Sequence, residues 1–423
     1  MKRTDDIKAS KLDWLTILVV IALAFAGWLN IYAVIYDTQL DQNIFDLSSN
    51  SGKQILWFGI SLMVVTLILL MDFRFFDSFA YPIYGTIVIL LISVLLFGTV
   101  VSGSKSWFEL GFVRFQPSEF AKFATALAVA KLLSKPQIKL DKIKTWVPII
   151  IVVSIPAILI ILQGDTGSAL VFSAFVIVFY REGLSPLLVF VGIMAVSLFV
   201  LTLLLGQLYI ILAIVVAAVI LIITGKRSAK KVRTVLLSAA VTAGVVISVD
   251  YVVNNVLQSH QQNRVKAFIN PEADPLGYGY NVTQSKIAIG SGGFFGKGFL
   301  EGTQTKFDFV PEQSTDFIFC TIGEEHGWIG SFILILLFVT LLLRIIFIAE
   351  RQKSSFSRIY GYGVASILFF HFAVNIGMTI GLFPVIGIPL PFFSYGGSSL
   401  LAFSILIFIL LKMDAHRMQV LVH

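Results

Sequence analysis

Charge is what this chain lacks. Only 13% of its 423 residues are Asp, Glu, Lys or Arg, against 57% hydrophobic residues, whereas soluble domains carry about 25% charged residues. So few charges cannot coat a surface that faces water, so most of the surface must face lipid. A mean hydropathy of +0.91 agrees. Cysteine is nearly absent too. Cys320 stands alone, which excludes an intrachain disulfide, a cysteine-rich zinc site and an iron–sulfur cluster. The five histidines, at 260, 326, 371, 416 and 423, lack the spacing of a metal site. Secreted, disordered and fibrous classes fall away, leaving a polytopic membrane protein.

What the chain has instead is long apolar runs. A helix needs roughly 17–25 apolar residues to cross a bilayer. Such runs fall near 14–36, 54–71, 80–101, 117–133, 146–163, 167–180, 186–205, 207–224, 234–253, 316–344, 358–382 and 394–412. They predict an all-α bundle of about twelve transmembrane helices in one membrane domain spanning 1–423. Their continuity excludes a β-barrel, whose strands alternate over about ten residues. The first run exceeds a signal-peptide core and has no small-residue cleavage site, so it reads as a retained span behind a cytoplasmic segment 1–13.

Lys and Arg set the orientation. With the N-terminus inside, the inner segments hold 22 of the 31 basic residues, as the positive-inside rule requires. Both termini are then expected in the cytoplasm. Inner runs such as KRSAKKVR, behind the net charge of +7, read as topology signals and anionic-lipid contacts and not as a nucleic-acid site.

One connection is far longer than the rest. Residues 254–315 form an outer loop of 62 residues. Loops beyond about 12–15 residues are usually functional or disordered, and this one is too aromatic and glycine-patterned for disorder. It carries the carboxylates Glu272, Asp274, Glu301, Asp308 and Glu312, with Asp316 just beyond, and the cations Arg264, Lys266, Lys286, Lys297 and Lys306. Pro275 keeps Asp274 out of a helix interior. A carboxylate held in a turn beside lysines suits a general base next to an anionic leaving group. An ordinary Asp-Pro turn fits as well, and both readings stay open. The glycines from Gly290 to Gly302 match neither nucleotide template, because Phe295 stands where a glycine is needed and Gly298 replaces the Ser or Thr after Lys297. They predict close approach of the backbone to a bulky ligand, or tight turns.

Further polar groups cluster at the same outer end. In GSKSWFELGFVRFQPSEFAK, Pro117 suits a first helical turn and Glu119 complements the helix dipole. Lys122 lies on the same face as Glu119, one turn into an apolar span, where a charge is costly and reads as functional. Trp107 is an interfacial anchor or a stacking platform for a sugar or lipid. Gln163 and Asp165, in QGDTGSAL, suit a capping turn or a ligand contact. Glu324, Glu325 and His326 follow Asp316 into a span, and His371 and Asn375 face the bundle from the next one. The segment FPVIGIPLPFFSYGGSS, which contains Ser394, is tolerable at membrane depth only if it lines a cavity or packs in protein.

The runs RFQPSEFAK, QGDTGSAL, NPEADPLGYGY, QSKIAIGSGGFFGKG, GTQT, FVPEQSTDFIF and LPFFSYGGSS follow in order between residues 103 and 399. Together they resemble the SEDS family (shape, elongation, division and sporulation) of bacterial cell-wall polymerases, its elongation branch more than its division branch. The resemblance implies a peptidoglycan glycosyltransferase that polymerises lipid II at the outer face of the cytoplasmic membrane and so maintains cell shape. It implies that Asp274 is the catalytic carboxylate and that Trp107, Glu119 and Lys122 line the lipid II cavity. Arg114, Gln163, Asp165, Lys286, Lys297, Glu312, Asp316 and Ser394 are further candidates for that cavity. Lys122, Arg114, Lys286 or Lys297 would stabilise the departing diphosphate, with a divalent cation (Mg or Mn) as a candidate aid. The implied partner is a class B penicillin-binding protein, its single membrane helix beside the spans that begin near Asp316 and Ser357. Two other classes compete: a lipid II flippase, which needs ionisable groups deep in broken helices, and a non-catalytic scaffold for the penicillin-binding protein. Where the family usually has one span, 186–253 holds apolar material for three, so an extra helical hairpin is expected within 186–233.

Overall fold

The computed structural model describes residues 12–36, 44–101, 103–111, 113–138, 140, 145–224, 228–256, 259–269, 278–307 and 309–418. Asp274 and Asp308 lie outside them, as does most of the 1–13 segment. The chain divides into two compact units, Met1–Gly183 with Val282–His423, and Leu184–Asn281.

The first unit opens with α1 (Trp14–Ile35), α2 (Asn50–Leu70), α3 (Phe73–Ser78) and α4 (Ala80–Phe97). Each of the first three starts where a short polar side chain caps free backbone N–H groups: Asp13, Ser49 and Asp72 accept from Thr16, Gly52 and Arg74. Strands β1 (Thr99–Val101), β2 (Ser104–Leu110) and β3 (Val113–Phe115) form a small antiparallel meander, an addition to the all-α expectation. Gly103 and Gly111, at φ +84° and +66°, supply the left-handed residues its two tight turns need. Then come α5 (Pro117–Leu133), α6 (Trp146–Leu162), α7 (Thr166–Leu170) and α8 (Phe175–Arg181), the last two joined by a 3₁₀ turn.

The second unit contains α9 (Pro186–Leu205), α10 (Gln207–Thr224), α11 (Ala229–Tyr251) and α12 (Ser259–Ile269). The first three pack on one another and bury few side chains, as lipid-facing helices do. The chain continues with α13 (Tyr278–Ser291), α14 (Thr303–Lys306), α15 (Ile318–Glu325), α16 (Gly327–Glu350), α17 (Ser355–Thr379) and α18 (Gly397–Ala415).

Among the described residues, α1, α2, α4, α9, α10, α11, α16, α17 and α18 are long and apolar enough to cross a membrane. Shorter apolar helical segments occupy Trp146–Leu162 and Thr166–Arg181. With α5, every run read from the sequence contains a helix, although the end of 80–101 forms β1. Two expectations need correction. The run 316–344 is not one helix: α15 ends at Glu325, and Gly327 at φ +62° starts α16 on a new axis. Glu324, Glu325 and His326 therefore precede the span and do not lie inside it. The long loop also carries helices of its own, α12, α13 and α14.

The core of the first unit is α5, α17 and α18. Every residue from Pro117 to Ala130 is buried, because α5 meets α4, α6, α17 and α18. Alanines at 121, 124, 126, 128 and 130 let those neighbours approach closely. The extended segment ahead of α18 is buried within the protein, as its prolines require. There is no space for a side chain at Gly27, where a Cβ would lie 2.5 Å from the Phe393 carbonyl oxygen.

Candidate active site

The proline at the first position of α5 has no N–H to leave unpaired, and Glu119 follows in the first turn. One turn on, the Lys122 ammonium lies 2.7 Å from Glu119 Oε1, with both side chains only 3% exposed. Lys122 Nζ is also 2.9 Å from His371 Nε2. His371 Nδ1 is 3.0 Å from the Pro389 carbonyl oxygen, which can only accept, so Nδ1 carries the proton and Nε2 accepts from Lys122. Phe403 closes the group, 5.2 Å from Lys122 Nζ and edge-on to the His371 ring. Glu119 Oε2 and Ser118 Oγ are buried without a partner among the described residues, the condition in which a polar group awaits water or ligand.

A second set of bonds ties the element starts together beside it. Gln116 Nε2 donates to Asp165 Oδ2 at 2.9 Å, while Asp165 Oδ1 caps α7 through Ser168 N. The Gln116 amide donates to Ser398 Oγ, which in turn donates to the Arg114 carbonyl oxygen. Gln163 caps α6 and donates to the Leu91 carbonyl oxygen, and its Oε1 is another buried oxygen with no partner among the described residues. Arg114 itself is exposed, paired with Glu109 across the β2–β3 register at 3.1 Å. Trp107, half-buried, pairs with Thr99 across β1 and β2.

The segment ahead of α18 forms the opposite wall. Asn375 Nδ2 donates to the carbonyl oxygens of Asp316 and Ile388. Ser394 Oγ donates to the Thr315 carbonyl oxygen and accepts from Leu390 N. Ser394 is thus a fastener between two backbone segments, and not a free hydroxyl. Glu312 is exposed at φ +55°, its carboxylate accepting from Thr315 Oγ1.

Residues 13–211 and 180–419 match the cell cycle protein family of FtsW, RodA and SpoVE. The peptidoglycan glycosyltransferase MrdB of Escherichia coli K12 is 35% identical over 81% of this chain and 80% of its own length. The peptidoglycan glycosyltransferase RodA of Treponema pallidum is 31% identical over 97% of this chain and 99% of its own. A solved chain from a peptidoglycan synthase complex that coordinates polymerisation and crosslinking superposes with a TM-score of 0.72, at 26% identity, covering 97% of this chain and 99% of that one. The chain is a SEDS protein. The elongation branch expected from its motifs agrees with the RodA and MrdB names.

Within this SEDS protein the two loop lysines part company. Lys297 Nζ is 2.6 Å from Glu324 Oε1 and 2.6 Å from Thr303 Oγ1, so it fastens the loop and is a poor candidate for the diphosphate. Lys286 is exposed on α13, its ammonium packed where a Gly381 Cβ would stand. Two of the loop glycines let the backbone approach α15 closely. A Cβ on Gly292 would lie 2.0 Å from Gly323 O, and one on Gly296 would lie 2.1 Å from Glu325 O.

Among the described residues, no three His, Cys, Asp or Glu side chains gather as a metal ion requires, so they do not by themselves fit a divalent cation. Sequence reasoning placed His371 on the inner face but left it off the cavity set. It also passed over Gln116 and Ser398, whose only signal was a polar side chain flanking a helix start.

Proposed function

We infer that this SEDS protein is a peptidoglycan glycosyltransferase that joins lipid II into glycan strands during cell elongation, working at the outer face of the cytoplasmic membrane with both termini inside. The observation that carries the reading is the buried Lys122 ammonium, held by Glu119 and His371 next to the converging loop segments. Two of its three N–H groups are taken, leaving one for an anionic oxygen of the substrate.

In this reading Asp274 takes the proton from the 4-hydroxyl of the acceptor N-acetylglucosamine. The freed oxygen attacks the anomeric carbon of the donor N-acetylmuramic acid, and undecaprenyl diphosphate departs from the opposite face. The α-linked donor becomes a β-1,4 product. Lys122 offsets charge that grows on the leaving diphosphate, in a dry site where such an interaction is strongest. A flippase would need ionisable groups through the depth of the bundle, yet the buried residues from Phe123 to Ala130 of α5 and from Ser404 to Leu411 of α18 carry no ionisable side chain, and Lys412 and Asp414 come only at the end of α18.

The partner is a class B penicillin-binding protein, a reading supported by the solved relative from a complex that couples polymerisation to crosslinking. Helices α16 and α17 are the expected neighbours of its membrane helix. At the start of α16, Phe294, Trp328 and Phe332 stack in an exposed row, a surface suited to such a helix.

The test is purified protein, with and without partner, incubated with lipid II in detergent. Wild type should give glycan ladders insensitive to moenomycin. Asp274→Asn is nearly isosteric but cannot take the proton. It should insert and bind its partner yet lose polymer by roughly 10²- to 10⁴-fold, the usual worth of a general base. Polymer at near wild-type rate from the Asn variant would refute this role and return the protein to the scaffold class or to another base.

A further inference from the structure

We propose that the opposite end of the bundle carries a headgroup site for an anionic phospholipid. There α1 begins while α16 and α18 end, around a cavity of about 550 Å³ lined by Arg344, Arg351, His416 and Arg417. Asp13 and Asp414 brace the three arginines from beneath. Arg344 grips Asp13 through Nε and Nη2, at 3.1 and 2.7 Å, and Arg351 bridges Asp13 and Asp414. Arg417 lies 3.6 Å from Asp414.

Burial decides which charge faces outward. The carboxylates are 2% and 0% exposed, whereas Arg344, Arg351 and Arg417 retain 30, 24 and 35%. The aspartates hold the guanidiniums from behind and leave their remaining N–H groups at the mouth. Three guanidiniums against two carboxylates leave one positive charge unmatched, as a single phosphodiester would require. Guanidinium forks suit phosphate oxygens in pairs. The start of the 22-residue helix α1 adds the positive end of its dipole.

The rim identifies an amphiphile and not a free anion. Trp14, Leu15 and Met418 line the same cavity and are 51, 48 and 69% exposed. Apolar side chains in that position would lie along acyl chains below a headgroup held by the arginines. A basic pocket between the ends of spanning helices, on the side rich in Lys and Arg, is the setting in which anionic lipid headgroups bind. The site lies at the far end of the first unit from Lys122, so it does not depend on the catalytic reading.

Arg344 and Arg351 also fasten α1 to α16 and α18, so their removal would confound folding with binding. Among the described residues Arg417 bonds only to Asp414, three residues away in its own segment, and Arg417→Gln leaves the other bridges intact. The experiment follows the thermal unfolding midpoint of the full chain in phosphatidylcholine nanodiscs, titrated with dioleoylphosphatidylglycerol. Wild type should gain stability with the anionic lipid and none with inorganic phosphate. Arg417→Gln should need about fivefold more lipid for the same gain, the worth of one interfacial cation. Lys353→Gln, an exposed cation outside the cavity, should behave as wild type. Equal titrations for wild type and Arg417→Gln, an equal loss in Lys353→Gln, or a gain from phosphate as large as from lipid would each overturn the proposal.

Discussion

Lys122 sits where a charge costs most, buried near the start of a helix whose next eight residues are all buried. Desolvating an ammonium and a carboxylate costs several kcal/mol each, and their attraction repays this only if the remaining lone pairs and protons are also satisfied. Here they are not, because Glu119 Oε2 has no partner among the described residues. A purely structural pair would be expected to close both oxygens. Lys122→Met should therefore destabilise the protein by about 3–5 kcal/mol, the cost of stranding a buried partner. The double variant Glu119→Gln with Lys122→Met should recover most of that stability. Turnover of lipid II should stay strongly depressed in both. The check is a thermal midpoint alongside glycan product per minute, and a double variant with normal turnover would reduce Lys122 to a fold residue. The lysine was legible from its depth in an apolar run. So was its pairing with Glu119, from their three-residue spacing; its second partner was not, because His371 is 249 positions away and no local pattern links the two.

At the scale of elements, the second half of the long loop is clasped to α15 by a pair of adjacent glutamates. Glu324 accepts from the backbone N–H groups of Thr303, Gln304 and Thr305, and from Lys297. Burial opposes its ionisation, but the Lys297 ammonium and these donors outweigh it and hold its carboxyl below the ordinary range. Glu325 goes the other way. Burial, reinforced by the Glu324 charge against donors from Leu300 and Gly302, pushes it up to about 7 from an ordinary 4.5. Between those two values the folded protein holds a proton that the unfolded chain has released. The contribution of Glu325 is therefore full below pH 4.5 and lost as pH rises through about 7. That of Glu324 is present above its ordinary value and lost as pH falls through its depressed one. Glu325→Gln should flatten the decline in thermal midpoint between about pH 5 and 8, and Glu324→Gln should lower the midpoint throughout that range. An unchanged pH slope in Glu325→Gln would show that the carboxyl ionises freely. Little of this clasp could be read from sequence. The described buried positions of α13 are Gly279, Val282, Ser285 and Ala288, three apart but too polar and small to register as an amphipathic helix. The apolar residues of α15 and α16 flank Glu324, Glu325 and His326 in what reads as one run, and the backbone at Gly327 separates the two helices. The spans themselves were legible because bilayer thickness fixes their length, and α5, α9 and α10 have the bounds expected of them.

For the whole molecule the open question is which way the helices of the second unit run through the membrane. The family match covers 13–211 and again 180–419, so the two stretches overlap across 180–211, as an added segment there would produce. Helices α9, α10 and α11 fill most of 186–251, with a one-residue break at Gly206 and a basic run before α11. An added pair preserves parity, so the large loop stays on the same side as in a ten-span protein. The lysines and arginines of KRSAKKVR are expected to keep their end in the cytoplasm, since moving them outward opposes the strongest topological signal in the chain. Gln207 should then be external and Lys230 cytoplasmic. Cysteines at these two positions can be read with an impermeant maleimide, because the native Cys320 is buried and gives little background. Gln207 is the better outer probe than Gly206, whose φ of +86° a side chain would strain. In intact cells Gln207→Cys should label and Lys230→Cys should not, and permeabilised cells should label at both. Equal labelling of the two before permeabilisation would mean that α10 does not cross the membrane. The extra pair would then lie along the surface, and the large loop would keep its side, because losing two spans preserves parity as adding two does.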